Sequence, residues 1–147
     1  MADIGLNPPG TRHDRVVGGV ATSTGILFGH VLVMDTATTN QHRAVTTTTT
    51  PGAGPLAGVV TSQTDPTNGT AVGDNLEICD EGIVEVWLVA NQAITKGDLL
   101  IASATAGQVK KLAAESTPWI LGVAFQDMAS TASPVRIACK LGIYQHA

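Results

Sequence analysis

The sequence predicts an all-β fold: a small β-barrel made of two pseudo-repeats, preceded by an extended N-terminal arm. Three observations carry that expectation. The first is internal similarity: residues 24–34 (TGILFGHVLVM) and 92–102 (QAITKGDLLIA) share one pattern, and the segments downstream of them match as well. Val45 matches Val109, PLAGVV (55–60) matches WILGVA (119–124), and CDEGIV (79–84) matches CKLGIY (139–144). The offset falls from 68 (24 to 92) to 64 (45 to 109) to 60 (79 to 139), and the extra residues of the first copy sit in loop-like NQH (40–42) and DPTNG (65–69). The second is a succession of short β-branched runs with turn signals every 8–15 residues or so. The third is composition: Phe28, Trp87, Trp119, Phe125 and Tyr144 are the only aromatics in 147 residues, so Val, Ile, Leu and Ala must build the core.

Residues 1–15 (MADIGLNPPGTRHDR) have no helix or strand period and contain Gly5, Pro8, Pro9 and Gly10, which reads as an extended arm. Ile4 and Leu6 are apolar and Pro8-Pro9 stiffens the chain, so laying this segment on a neighbour costs less entropy. Residues 16–147 are expected to form a single barrel domain, with pseudo-repeats at about 20–84 and 88–145. In the first, VVGGVA (16–21), HVLVM (30–34), RAVTT (43–47), LAGVVTS (56–62) and NLEIC (75–79) read as strands. In the second, IVEVWLVA (83–90), DLLIA (98–102), QVKKLA (108–113), WILGVAFQ (119–126), PVRIAC (134–139) and GIYQ (142–145) do. Asp80-Glu81-Gly82 reads as a turn between strands, and Val109–Glu115 has room for one helical turn. The Thr46–Thr50 tract is poor in helix and reads as an extended edge segment running into the Pro51–Pro55 loop.

Bulk properties narrow the function. Hydrophobic content of 44% with 14% charged residues places the chain among globular proteins. A net charge of −4 argues against nucleic-acid binding, which draws its affinity from Lys and Arg on phosphates. No apolar run of membrane-spanning length occurs, and MADIGLNPPG lacks the basic-then-apolar pattern of a secretory signal, so synthesis and use in the cytoplasm are expected. Cys79 and Cys139 occupy equivalent repeat positions. A bridge between them is compatible with pseudo-twofold packing, and reduced, buried thiols are the expectation for a cytosolic protein.

No catalytic, cofactor-binding or metal-binding residues are assigned. His13, His30, His42 and His146 are scattered without ligand spacing, and GxSxG and GxGxxG are absent. Asp74, Asp80, Glu81 and Glu85 lie at turns and strand ends without an identifiable acid–base partner. His30 stands where the second copy has Asp98, just after the repeated Gly, and is expected to fix a turn by bonding nearby backbone. The glycines are more informative: Gly29/Gly97, Gly58/Gly122 and Gly82/Gly142 recur at matching places, which points to structural turns or bulges.

The second copy, with AITKGDLL (93–100), ILGVA (120–124) and SPVRI (133–137), resembles tailed-bacteriophage capsid cement proteins, also called head decoration proteins. The likeness runs over roughly 71–145, with a degenerate echo over 20–70, and departs from the family pattern at His30 and in the Thr tract. It implies a β-clip/β-tulip-like barrel on the outer capsid surface of the virion, made in the host cytoplasm. It further implies the major capsid protein as partner and self-association as a homotrimer at threefold or quasi-threefold points, with no cofactor, nucleic acid or membrane. Residues 1–15 would then reach over neighbours, with Ile4, Leu6, Pro8, Pro9, Arg12 and Arg15 as the contacts. The Ile-x-x-Gly-Asp turn also occurs in β-clip small-molecule-binding or enzymatic domains, and the Thr tract admits a surface adhesion or glycan-binding module. Those are the two rival readings.

Overall fold

A computed structural model describes residues 11–37, 43–62 and 65–147. Its nine strands are β1 (Arg12–Ala21), β2 (Val31–Met34), β3 (Ala44–Thr46), β4 (Leu56–Val60), β5 (Asn75–Leu88), β6 (Leu99–Ala102), β7 (Val109–Lys111), β8 (Trp119–Ala124) and β9 (Val135–Gln145). They form one sheet in the order β1-β3-β2-β4-β5-β7-β6-β8-β9, with additional β1–β5 and β5–β9 pairings. These two pairings close the sheet into two five-strand circuits that share β5, which is how the expected small barrel is realised.

The neighbours recur from one circuit to the other. β1–β3 and β5–β7 are parallel; β2–β3 and β6–β7, β2–β4 and β6–β8, β4–β5 and β8–β9, and β1–β5 and β5–β9 are antiparallel. The register Met34↔Val45 has Ala102↔Val109 as its counterpart, and Leu32↔Gly58 has Leu100↔Gly122. Backbone bonds follow suit: Gly29 N–H donates to Val60 C=O at 3.0 Å, and Gly97 N–H to Ala124 C=O at 2.8 Å. A register irregularity lies beside Gly58 and beside Gly122. At both, a Cβ would strike the carbonyl oxygen of the adjoining strand, Cys79 at 2.4 Å and Lys140 at 2.1 Å, so only glycine allows that approach.

Strand composition explains why the sheet tolerates this wrapping. β2 (VLVM) and β4 (LAGVV) are apolar on both faces because both faces are covered. Leu32, Val60 and Ile78 join a core made wholly of first-half residues, with Ala21, Ile26, Val45 and Leu76. Their strand neighbours Val31, Val33, Val59 and Cys79 belong to the second, larger core, with Leu88, Leu100, Val109, Leu121 and Ile137.

Three features differ from the sequence expectation. Asp80-Glu81-Gly82 is no turn: β5 runs through it for 14 residues. PVRIAC and GIYQ likewise join into the continuous 11-residue β9, so Gly142 sits within a strand, has no left-handed φ, and has open space where a Cβ would be. The strand expected at 108–113 forms as β7 over residues 109–111, but the helical turn for which Val109–Glu115 had room does not. In each case partner strands supply backbone bonds that override a local turn or helix preference. The Thr tract leaves β3 and leads into the Pro51–Pro55 loop, where Gly52 N–H donates to Ala102 C=O (3.0 Å) and Gly52 C=O accepts from Trp119 N–H (2.9 Å). That loop therefore fastens the first circuit to the second.

Candidate functional site

Among the described residues, no group of three or more His, Cys, Asp or Glu side chains converges on a metal-binding arrangement. His30 and Asp98 act on backbone instead. His30 Nδ1 accepts from Leu27 N–H (3.1 Å), and Asp98 Oδ2 accepts from Thr95 N–H (2.8 Å), at equivalent turns. His30 is buried, which lowers its pKa to about 4 and keeps it neutral as an acceptor. Cys79 and Cys139 are both free and buried. Burial raises the Cys79 thiol pKa and pushes that of Cys139 up to about 12, so neither is a ready nucleophile.

Of the expected arm contacts, Ile4, Leu6, Pro8 and Pro9 lie outside the described residues. Arg12 and Arg15 belong to β1, which pairs with β5 from Arg12↔Ile83 onward with a register shift around Asp14. Arg15 grips Asp80 with both its Nε and a terminal nitrogen, each at 2.7 Å, and Arg12 bonds Asp14 at 2.6 Å. Both cations are thus engaged within the chain at the root of the arm. Gly82 lies opposite, where a Cβ would meet Arg12 C=O at 2.0 Å. Of the other repeated glycines, Gly29 and Gly97 carry left-handed φ angles of 84° and 96° at the His30 and Asp98 turns.

Acidic and basic side chains face each other along β1 and β5: Arg43 lies over Gly18, the partner of Glu77, and Arg15 stands opposite Glu81. In the first circuit Glu77 and Glu81 are exposed, and so is Val16 (43%), whose partner Cys79 is buried in the larger core. On the outward face of the second, Trp87 pairs with Arg136, Glu85 with Ala138 and Ile83 with Lys140. The Arg136 guanidinium lies 5.4 Å from the Trp87 ring and 5.9 Å from the Phe28 ring, within cation–π reach of both. Glu85 approaches Arg136 only to 3.5 Å, long for a charge-assisted bond. Phe125 is exposed (44%) beside Ala138, to whose carbonyl its N–H donates at 2.9 Å. Sequence reading missed this patch. Alternation of buried Val84, Val86, Ile137 and Cys139 with outward residues marks the β5 and β9 parts, but nothing local brings Phe28 to them.

A family model described as structural cement protein (E217 gp24/Pam3 gp6) matches residues 9–140. None of the curated proteins matches the sequence. Among solved structures, the crystal structure of the head fiber gp8.5 N base in bacteriophage phi29 is similar, with a TM-score of 0.50 and 12% identity, over 90% of this chain and 98% of that one. At that identity the likeness speaks for the fold, an all-β barrel-like sheet. The family match spans nearly the whole chain, both circuits included, so the chain belongs to the phage structural cement protein family and is a capsid-decorating protein of the virion.

Proposed function

We propose that the chain binds the major capsid protein on the outer surface of an assembled phage head and staples the lattice against the outward push of packaged DNA. The family match over residues 9–140 carries this reading and favours it over a β-clip enzyme or a glycan-binding module. Binding only the assembled lattice stabilises that lattice by mass action, about 2.7 kcal/mol at a concentration 100 times the dissociation constant. Attachment as a homotrimer at threefold or quasi-threefold points multiplies the effect through effective concentration, so modest contacts per chain give slow release. The role is structural and includes no catalysis. The residues ahead of β1, which begins at Arg12, serve as the arm. Its contacts are Ile4, Leu6, Pro8 and Pro9, while the Arg15–Asp80 and Arg12–Asp14 pairs set the direction in which it leaves the barrel.

Heating decides the question. Heads stripped of this protein should rupture at a lower temperature than decorated heads, and adding the purified chain back should restore the difference. An unchanged rupture temperature would sink the stapling mechanism.

A further inference from the structure

The outer edge of β1 lacks a cover that the same edge of β5 has. Ala21 pairs with Val45 of β3, and Leu88 pairs with Val109 of β7, so Ala21 in β1 corresponds to Leu88 in β5. Backbone bonds agree: Val20 N–H donates to Arg43 C=O where Trp87 N–H donates to Gly29 C=O, and Thr22 N–H to Val45 C=O where Val89 N–H donates to Val109 C=O. Counting back along the strands, Val16 corresponds to Ile83 and Val17 to Val84. Ile83 has a strand on each side, with Arg12 of β1 and Lys140 of β9 as partners. Val16 has β5 alone, because β3 joins the other side of β1 only at Val20 and Ala21. The N–H of Val20 faces β3, and the register from Val16 to Val20 is unbroken, so the N–H groups of Gly18 and Val16 face the open side. Arg43 lies over Gly18, but Val16 (43%) and the adjacent Val17 (41%) are exposed, whereas Val84 is 1% exposed. An apolar edge with no neighbouring strand is a template for strand addition.

We propose that this edge receives the N-terminal arm of a neighbouring copy: residues ahead of Arg12 in one protomer add as a strand beside Val16–Gly18 of the next. Three features favour this occupant. Residues 1–10 reach roughly 33 Å when extended, and they carry Ile4 and Leu6 two apart, the spacing that puts both on one face of a strand. Consecutive prolines at positions 8 and 9 favour extended backbone, which carries Ile4 and Leu6 onward from Arg12 rather than back along their own β1. The repeat also supplies a precedent, since the segment that enters β1, at Arg12, is what covers the matching edge of β5 at Ile83. In strand addition the backbone bonds give affinity and alternate side chains give specificity, here Ile4 and Leu6 against the bare valines. An arm that leaves one copy and lands on a different surface of the next makes a heterologous contact, which closes into a ring about a rotation axis. The inference rests on the proposed self-association and names the surface that receives the arm.

The test uses the full chain, with sedimentation velocity for solution mass, circular dichroism for folding and hydrogen exchange for the Val16 and Gly18 amides. The wild type should run as an oligomer in which those two amides exchange about tenfold or more slowly than after dilution to monomer. Ile4→Asp with Leu6→Asp removes the apolar face of the arm, and Val17→Asp puts a charge on the receiving edge. Each variant should be folded and monomeric, with both amides fast. Mixed, the two should form a two-chain complex, because one retains a working edge and the other a working arm. A monomeric wild type, an undiminished oligomer in either variant, or a mixture that stays monomeric overturns the proposal. So does protection of the two amides that is equal at every dilution, which would mean that each arm covers its own strand. Binding of the wild type to stripped heads reports separately on the cement role, which survives any of these results.

Discussion

The turn before β2 needs a hydrogen-bond acceptor at position 30, and histidine can serve only while Nδ1 is unprotonated. Leu27 N–H points at that nitrogen, and the ring is packed so closely under the 103–108 loop that a Cβ on Gly107 would lie 2.4 Å from it. Burial lowers the His30 pKa to about 4, whereas an unfolded chain titrates near 6.5. A depressed histidine pKa means that the unfolded state binds the proton first. The contribution of His30 to stability is therefore intact above about pH 6.5 and is lost as pH falls toward 4. The shift corresponds to about 3 kcal/mol at most. Urea unfolding of wild type and His30→Asn, whose amide oxygen can accept the same bond, should diverge from pH 7 to pH 4, with wild type losing more. Parallel pH profiles for the two would show that His30 does not titrate in this way. Asp98, half-buried at the equivalent turn, fulfils the same need with a carboxylate. That role was legible in the sequence because the two residues hold matching places after a repeated glycine.

Strands were less legible than turns where β5 and β9 run on without a break. Asp80-Glu81-Gly82 has the composition of a turn, yet β1 lies along one edge of β5 there, and Arg15 holds Asp80 across the pair. The glycine in that triplet answers to β1. Its φ is 130°, and a Cβ would collide with the Arg12 carbonyl oxygen and the Asp14 nitrogen. Gly142, its sequence counterpart, meets nothing within 4 Å. A repeat read from sequence treats the two alike; the strand that packs against only one of them makes them different. Gly82→Ala should cost about 2 kcal/mol or more, through backbone strain and displacement of β1. Gly142→Ala should fall within about 0.5 kcal/mol of wild type. Denaturant midpoints for the pair decide the matter, and equal losses would mean that β1 does not press on Gly82. The basic patch was illegible for a related reason: Phe28 joins Trp87 and Arg136 only after the first circuit has folded back along β5.

Two closed circuits invite the idea of two small domains, but the cores argue otherwise. Among the described residues the first-half core has seven buried members, and its walls β2, β4 and β5 turn Val31, Val33, Leu56, Val59 and Cys79 outward into the larger core. Removing the second circuit would expose those side chains, and removing the first would uncover the face that Leu100 and Leu121 share with them. Opening either circuit would therefore expose apolar side chains that the other covers. Unfolding is accordingly expected to be one cooperative transition, with calorimetric and van't Hoff enthalpies equal. Leu32→Ala, deep in the first-half core, supplies the sharper trial. It should lower stability by about 2–5 kcal/mol and shift the single midpoint by about 5–15 °C, without splitting it. A first transition confined to residues 12–79 by hydrogen exchange, followed by a separate second one, would show that the circuits fold independently and that β5 merely tethers them.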